Sequence, residues 1–278
     1  MFIRLSRKGE CGVMKDSETK KSIKQDAARI AALLTDSDYP ICITGAGVST
    51  DSGIPDFRSP ETGLWNQEEA KELSKPGAFR ISELTLDEKM ELFWRVGYKL
   101  GKKIMKAKPN KAHKILADWE KDGIMKSIIT QNVDRLHQKA GSQNVIEIHG
   151  NAFEAKCMFC GGSYRLKDVM RRYKRKKRAP WCDVCAGFIR PNVVMFGEST
   201  PSETIQEALV EIKQADLALV LGSSLIVYPA NYLPVIVRKR GGKLVIINDQ
   251  STDLDKVSEV VVNASITRVM KEINKALN

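Results

Sequence analysis

Short runs of consecutive apolar residues, separated by helical patterns, constrain this chain more than any other feature. Ile41-Cys42-Ile43-Thr44, Ile128-Ile129-Thr130, Val145-Ile146-Glu147-Ile148, Leu217 to Leu221 and Lys243 to Ile247 each read as a strand. A strand that is apolar along its whole length must be covered on both faces, which is the habit of parallel sheets. The intervening segments supply the cover. Ile23, Ala27, Ile30, Ala31 and Leu34 share one face of a helix over Ser22 to Leu34. Thr200-Pro201-Ser202-Glu203 has the form of a helix start, with Thr200 as cap and a helix running to about Gln214. Ala230 to Arg240 and Ile266 to Leu277 complete the set. The expected fold class is therefore α/β, a doubly wound parallel sheet of Rossmann-like form.

Two stretches break the alternation. Residues 61–108 show helical patches without a strand, and residues 153–189 carry paired cysteines and a run of cations. Both are expected as insertions that form a smaller lobe, leaving 17–60, 109–152 and 190–278 for the main domain. The sequence has 278 residues, ample for one large core with an appended unit.

Net charge is +11, and seven of the positive charges lie between Arg171 and Arg178. The plainer reading of that run is a solvated helix face, with phosphate contact as the alternative. No apolar run approaches the roughly 20 residues needed to span a bilayer, and Met1 to Lys15 lacks the apolar core of a secretory signal. A cytoplasmic protein without membrane contact is expected, with Met1 or Met14 as its first residue.

Four of the six cysteines form two pairs, Cys157-x-x-Cys160 and Cys182-x-x-Cys185. Two such knuckles satisfy one tetrahedral zinc, and four thiolates leave no open position for catalysis. A structural zinc is expected. Cys42, inside an apolar strand, reads as a buried inert thiol.

Several polar residues fall where parallel strands end, which is where such sheets bind ligands. Gly45-Ala46-Gly47 follows the first strand, and a glycine turn there suits a tight bend and a close pyrophosphate. The dehydrogenase pattern would have a third glycine where this chain has Thr50. Gln131-Asn132-Val133-Asp134, His149-Gly150, Gly222-Ser223-Ser224 and Asn248 end the other strands. His113 and His137 lie in helical surroundings and read as structural.

The stretch from Gly45 to Arg58, GAGVSTDSGIPDFR, resembles the cofactor loop of the sirtuins, as do Gln131 to Gly141, His149-Gly150 and Ser224 to Ala230. The resemblance implies an NAD-dependent protein-lysine deacylase. It assigns catalysis to His149, as general base, and Asn132. It assigns NAD binding to Gly45, Ala46, Gly47, Phe57, Arg58, Gln131, Asn132, Asp134, Gly222, Ser223, Ser224, Asn248 and Ser265. Ile189 to Glu198, expected to return the chain to the main sheet, would pair with an extended acyl-lysine peptide. Val193, Val194, Phe196 and Gly197 would then line the substrate channel. Phe93-Trp94-Arg95-Val96-Gly97 stands where some relatives that prefer acidic acyl groups carry a Tyr-x-x-Arg pair, so acetyl or other neutral acyl groups are expected. Protein ADP-ribosyl transfer is a rival use of the same cofactor residues. A zinc ribbon binding nucleic acid through Arg171 to Arg178 is a more distant one.

Overall fold

The structure, a computed structural model, describes residues 10–56, 85–195 and 197–278, with side chains from residue 21 onward. The expectations for Phe57, Arg58 and Phe196, and for residues 61–84 of the 61–108 insertion, lie outside the described residues.

Six parallel strands form the main sheet in the order β3-β2-β1-β7-β8-β9. They are β1 (Pro40–Thr44), β2 (Ser127–Thr130), β3 (Val145–Glu147), β7 (Leu217–Leu221), β8 (Lys243–Ile247) and β9 (Val260–Val262). Every residue of β1, β2 and β7 is buried, as apolar runs without alternation require. One face is covered by α1 (Glu10–Thr35), α3 (Lys111–Lys121) and α8 (Ile266–Leu277). The other is covered by α6 (Ser202–Gln214) and α7 (Leu233–Lys239). Ile23, Ala27, Ile30, Ala31 and Leu34 of α1 all reach the first of these cores.

The chain moves outward from β1 through β2 to β3, then returns to place β7 on the other side of β1. The strand order therefore reverses between β1 and β7. In an open parallel sheet, that reversal opens a crevice beyond the carboxyl ends of the two strands. The short helix α4 (Leu136–Ala140) follows β2.

A second, antiparallel sheet joins β5 (Ser163–Arg165), β4 (Gly150–Cys157) and β6 (Ile189–Val193). With α2 (Leu86–Lys106) and α5 (Leu166–Lys176) it encloses a separate core of Met90, Phe93, Trp94, Leu166, Met170 and Ile189, among others. The expected return of Ile189 to Glu198 to the main sheet is thus corrected. β6 pairs antiparallel with β4, and its end is tied back at one point, where Val194 N–H donates to the His149 carbonyl at 3.0 Å.

Two helix starts also differ from expectation. α6 begins at Ser202 with Pro201 in the cap position and no capping side chain, and Thr200 faces the crevice instead. Ala230 to Arg240 is split into a 3₁₀ turn, Ala230–Tyr232, and α7. Pro234 accounts for the break, because a ring without an N–H fits the first helical turn and not an interior one.

Candidate active site

The crevice is a cavity of about 360 Å³. Its polar wall is built from the strand ends. Gly45, Ala46 and Gly47 follow β1, Gln131 and Asn132 follow β2, Gly222, Ser223 and Ser224 follow β7, and Asn248 follows β8. His149, just past β3, stands beside them, and Val193, Val194 and Gly197 enter from the end of β6.

The glycines of this wall first serve contact between the two loops at the reversal. Gly45 N–H donates to the Leu221 carbonyl and Gly47 N–H to the Gly222 carbonyl, each at 2.9 Å. A Cβ on Gly222 would lie 2.5 Å from the Val48 nitrogen, and its φ of +61 is the left-handed region that favours glycine. With both glycine N–H groups used inside the protein, Ala46 carries the N–H that can turn to a phosphate.

Hydrogen bonds fix the polar wall. The Asn132 amide donates to the Gly45 carbonyl at 3.0 Å and to Ser49 Oγ at 3.2 Å. Its Oδ1 remains the acceptor available to a ligand. Gln131 Nε2 donates to Ser223 Oγ at 2.9 Å, which joins the ends of β2 and β7. Behind them Thr44 Oγ1 donates to Thr130 Oγ1 at 2.8 Å and lies 3.0 Å from His137 Nε2.

His149 Nδ1 lies 3.1 Å from the Gln131 carbonyl oxygen. A carbonyl only accepts, so Nδ1 carries the proton and Nε2 keeps its lone pair. Burial lowers the imidazole pKa and the carbonyl contact opposes that shift. The histidine is therefore neutral at neutral pH, in the form a general base needs. The adjacent Gly150 has a φ of +72, and a Cβ there would sit 2.2 Å from the Asn192 carbonyl oxygen. A glycine after the histidine is what lets β6 come this close. Arg190 donates to both carboxylate oxygens of Glu198, at 2.7 and 2.8 Å, and so brackets the segment between them.

The opposite wall is apolar. Phe93, Trp94, Val96, Leu100 and Ile104 reach it from α2, and Leu166 and Met170 from α5. Trp94 is locked there by donating its Nε1–H to the Ile189 carbonyl at 2.9 Å.

Within this lobe, Cys157, Cys160, Cys182 and Cys185 bring four sulfurs within 4.8 Å of one another. The Cys157–Cys185 and Cys160–Cys182 separations are 3.5 and 3.7 Å. Zn–S bonds of about 2.3 Å in a tetrahedron set sulfur–sulfur edges of about 3.8 Å. Backbone N–H groups of Phe159, Val184 and Gly187 lie 3.4 to 3.5 Å from the sulfurs, and Tyr164 Oη lies 3.0 Å from Cys182 Sγ. The set fits one zinc with its charge dispersed by donors.

The chain is similar to known proteins. A model described as the Sir2 family matches residues 45–229. The chain is 45% identical over 242 residues to the NAD-dependent protein deacetylase of Caldivirga maquilingensis, covering 87% of this chain and 90% of that protein. The chain belongs to the Sir2 family. It is 42% identical over 245 residues to the NAD-dependent protein deacylase of Thermococcus kodakarensis, covering 87% of this chain and 92% of that one. Among solved structures it resembles Sir2Tm bound to a propionylated peptide, with a TM-score of 0.80, 37% identity and coverage of 90% and 98%. It also resembles a complex of Sir2 with a p53 peptide and NAD+, with a TM-score of 0.73, 37% identity and coverage of 89% and 96%.

Two expected NAD contacts of this Sir2 chain fall outside the cavity lining. Asp134 is 3% exposed and turned inward, where it accepts Ser49 Oγ–H at 2.7 Å and Leu136 N–H at 2.9 Å. It anchors the glycine loop to the start of α4, and burial raises its carboxyl pKa against those bonds. Ser265 begins α8, its carbonyl taken by the N–H groups of Arg268 and Val269, while the next residue, Ile266, lines the cavity. Conversely, Val133, Thr200, Tyr228, Asp249 and Gln250 line it unanticipated. Asp249 and Gln250 could have been found from their place past β8. The walls from α2 and α5 could not, since only packing brings those helices to the strand ends.

Proposed function

We propose that this Sir2-family protein removes acyl groups from protein lysines at the expense of NAD, with His149 as general base. The observation that carries the assignment is the 3.1 Å contact between His149 Nδ1 and the Gln131 carbonyl, which leaves a basic Nε2 in the cavity that Ala46, Asn132 and Ser223 also line. NAD supplies the ADP-ribosyl group that accepts the acyl chain and one water is consumed in freeing the lysine, so the products are nicotinamide, free lysine and O-acyl-ADP-ribose.

The residues divide the work by position. Ala46 N–H, between two glycines that let the loops touch, meets the pyrophosphate. Asn132 Oδ1 and the Gln131–Ser223 pair orient the ribose hydroxyls and the carboxamide. Gly222, Ser224 and Asn248 receive the adenosine half. His149 Nε2 takes a ribose hydroxyl proton. The edge at Val193-Val194 pairs with the extended substrate peptide, and Arg190–Glu198 holds that edge in place. The apolar wall of Phe93, Trp94 and Val96 excludes water and favours acetyl and other neutral acyl groups.

The main domain of 17–60, 109–152 and 190–278 binds the nucleotide. Helix α2, from the 61–108 insertion, and the 153–189 zinc module flank the peptide. The pairing of β4 from Gly150 with β6 as far as Val193 supports drawing the small lobe a few residues wider at both ends, from 150 and to 193. Zinc at the four cysteines holds that lobe and takes no part in proton transfer. No described helix is long and apolar enough to cross a membrane; a reducing cytoplasm suits the four thiols.

Incubation with NAD and an acetyl-lysine peptide, followed by mass analysis, tests the assignment. O-acetyl-ADP-ribose is expected. ADP-ribosylated protein in its place would contradict it.

A further inference from the structure

Outside the cleft, the most unusual feature of this molecule is where its charge lies. Residues 85–108 hold seven lysines and arginines against three carboxylates, a net +4, and residues 166–178 hold eight against one, a net +7. Together they equal the +11 of the whole chain, so everything else is neutral in sum. The sequence separates these segments, but the fold puts them side by side. Tyr173 of α5 stacks on Trp94 of α2 at 5.8 Å and meets Tyr98 at 5.2 Å. Lys102 lies over the Tyr98 ring, 5.8 Å from its centroid. A Cβ on Gly101 would come within 3.3 Å of the Met170 side chain.

The two helices turn their apolar faces inward and their cations out. Lys102, Lys103 and Lys106 of α2 are exposed, as are Lys174, Arg175, Lys176, Lys177 and Arg178 at the end of α5. Two cations of the run are neutralised locally, since Arg171 pairs with Asp168 and Arg172 with Asp183. Among the described residues, no ion pair engages the five from Lys174 to Arg178. A helix dipole rewards cations in a last turn by at most about 1 kcal/mol at the surface, and like charges at adjacent turns oppose that. Helix stability therefore does not account for five cations in succession. The two helices run antiparallel, with Ala179 N–H donating to Glu91 at 2.7 Å and Met170 facing Gly101, so the three lysines of α2 extend the basic face away from that run.

We infer that this face, on the outer side of the two helices whose apolar residues line the cavity, binds the phosphate backbone of double-stranded DNA without reading its sequence. A contiguous run of unpaired cations, continued by the lysines of α2, matches a polyanion of regular charge. Single strands are disfavoured because they are held by aromatic platforms. Here Tyr173 is the aromatic of the run, and it is used up against Trp94 and Tyr98. On the deacylase reading proposed above, an acyl-lysine protein bound to the same DNA would thereby be held on the enzyme.

The test is fluorescence anisotropy of the full chain with a mixed-sequence duplex of about 30 base pairs, across about 50 to 200 mM salt. Micromolar affinity at the low end is expected, with log K falling linearly with log salt. The triple change Lys174→Glu, Arg175→Glu, Lys177→Glu should weaken binding at least tenfold and flatten the salt slope by about one for each phosphate no longer neutralised. Lys102→Glu with Lys106→Glu should weaken it independently. Matching glutamine variants, checked by circular dichroism, guard against misfolding and should show the same order with smaller effects. Turnover of a free acetylated peptide should persist in all of them. Affinity and slope unchanged by these substitutions would overturn the inference. So would tighter binding of single strands, or displacement of the duplex by polyglutamate at equal charge, which would mark an acidic protein as the partner.

Discussion

His149 gives its Nδ1 proton to the carbonyl of Gln131, 3.1 Å away, and the same Gln131 gives its amide proton to Ser223 Oγ at 2.9 Å. One residue past β2 thereby sets the base's tautomer through its backbone and spans the reversal point through its side chain. Replacing Gln131 by alanine keeps the first contact and removes the second. Gln131→Ala should raise KM for NAD several-fold with a smaller loss in kcat, measured by nicotinamide release. An equal loss in both would contradict the division of roles.

The pH dependence follows from burial. His149 titrates below the ordinary imidazole value of about 6.5 because burial disfavours its cation. The basic form is therefore present at neutral pH and is lost only in acid. The acid limb of kcat/KM should fall below about pH 6.5. A limb midpoint well above that value would exclude His149 as the base.

His113 and His137 act on stability instead. Their rings meet at a tilt with centroids 4.8 Å apart in full burial, and burial pushes His113 down to about 4 and His137 well below its usual value. The unfolded chain takes up protons near pH 6.5 while the folded chain resists. Stability is thus complete above about pH 6.5 and declines as pH falls toward 4. At 1.36 kcal/mol per pKa unit, His113 alone contributes a loss of about 3 kcal/mol over that window. Comparing denaturant midpoints of wild type and His113→Leu from pH 7 to pH 4 checks this. The variant should lose less stability than wild type, and parallel curves would contradict the account.

At the small lobe, Cys157→Ser should abolish stoichiometric zinc and lower the melting temperature, because Cys157 and Cys182 are part of that lobe's buried core. A metal-free variant with unaltered melting would contradict a structural zinc.

The loop contact at the reversal point has its own test. Gly222→Ala puts a Cβ 2.5 Å from backbone in a left-handed conformation. It should cost at least about 1–2 kcal/mol and weaken NAD binding tenfold or more by titration calorimetry. A neutral effect would show that the loops can part without cost.

What the sequence reveals and what it hides follow from range. Leu217 to Leu221 and Lys243 to Ile247 are legible to the residue, because strands buried on both faces read as apolar runs. His149, the glycines and the cysteines stand out through strand-end position or spacing. β9 is too short to announce itself, and β6 reads as part of the wrong sheet because its neighbour β4 carries no apolar run. Asp134 looks like a ligand group since it follows a strand, but its anchoring bond comes from Ser49, eighty-five positions away in sequence. The wall from Phe93 to Ile104 and the merging of two basic segments exist only once α2 meets α5.

His149 Nε2 as the base of an NAD-dependent deacylation is the claim on which the rest depends. Wild type and His149→Ala should be compared with NAD and an acetyl-lysine peptide, with products weighed by mass spectrometry and folding confirmed by melting. The expected result is O-acetyl-ADP-ribose from the wild type and a loss of about 10² to 10⁴-fold in the folded variant. Undiminished O-acetyl-ADP-ribose from His149→Ala would contradict it.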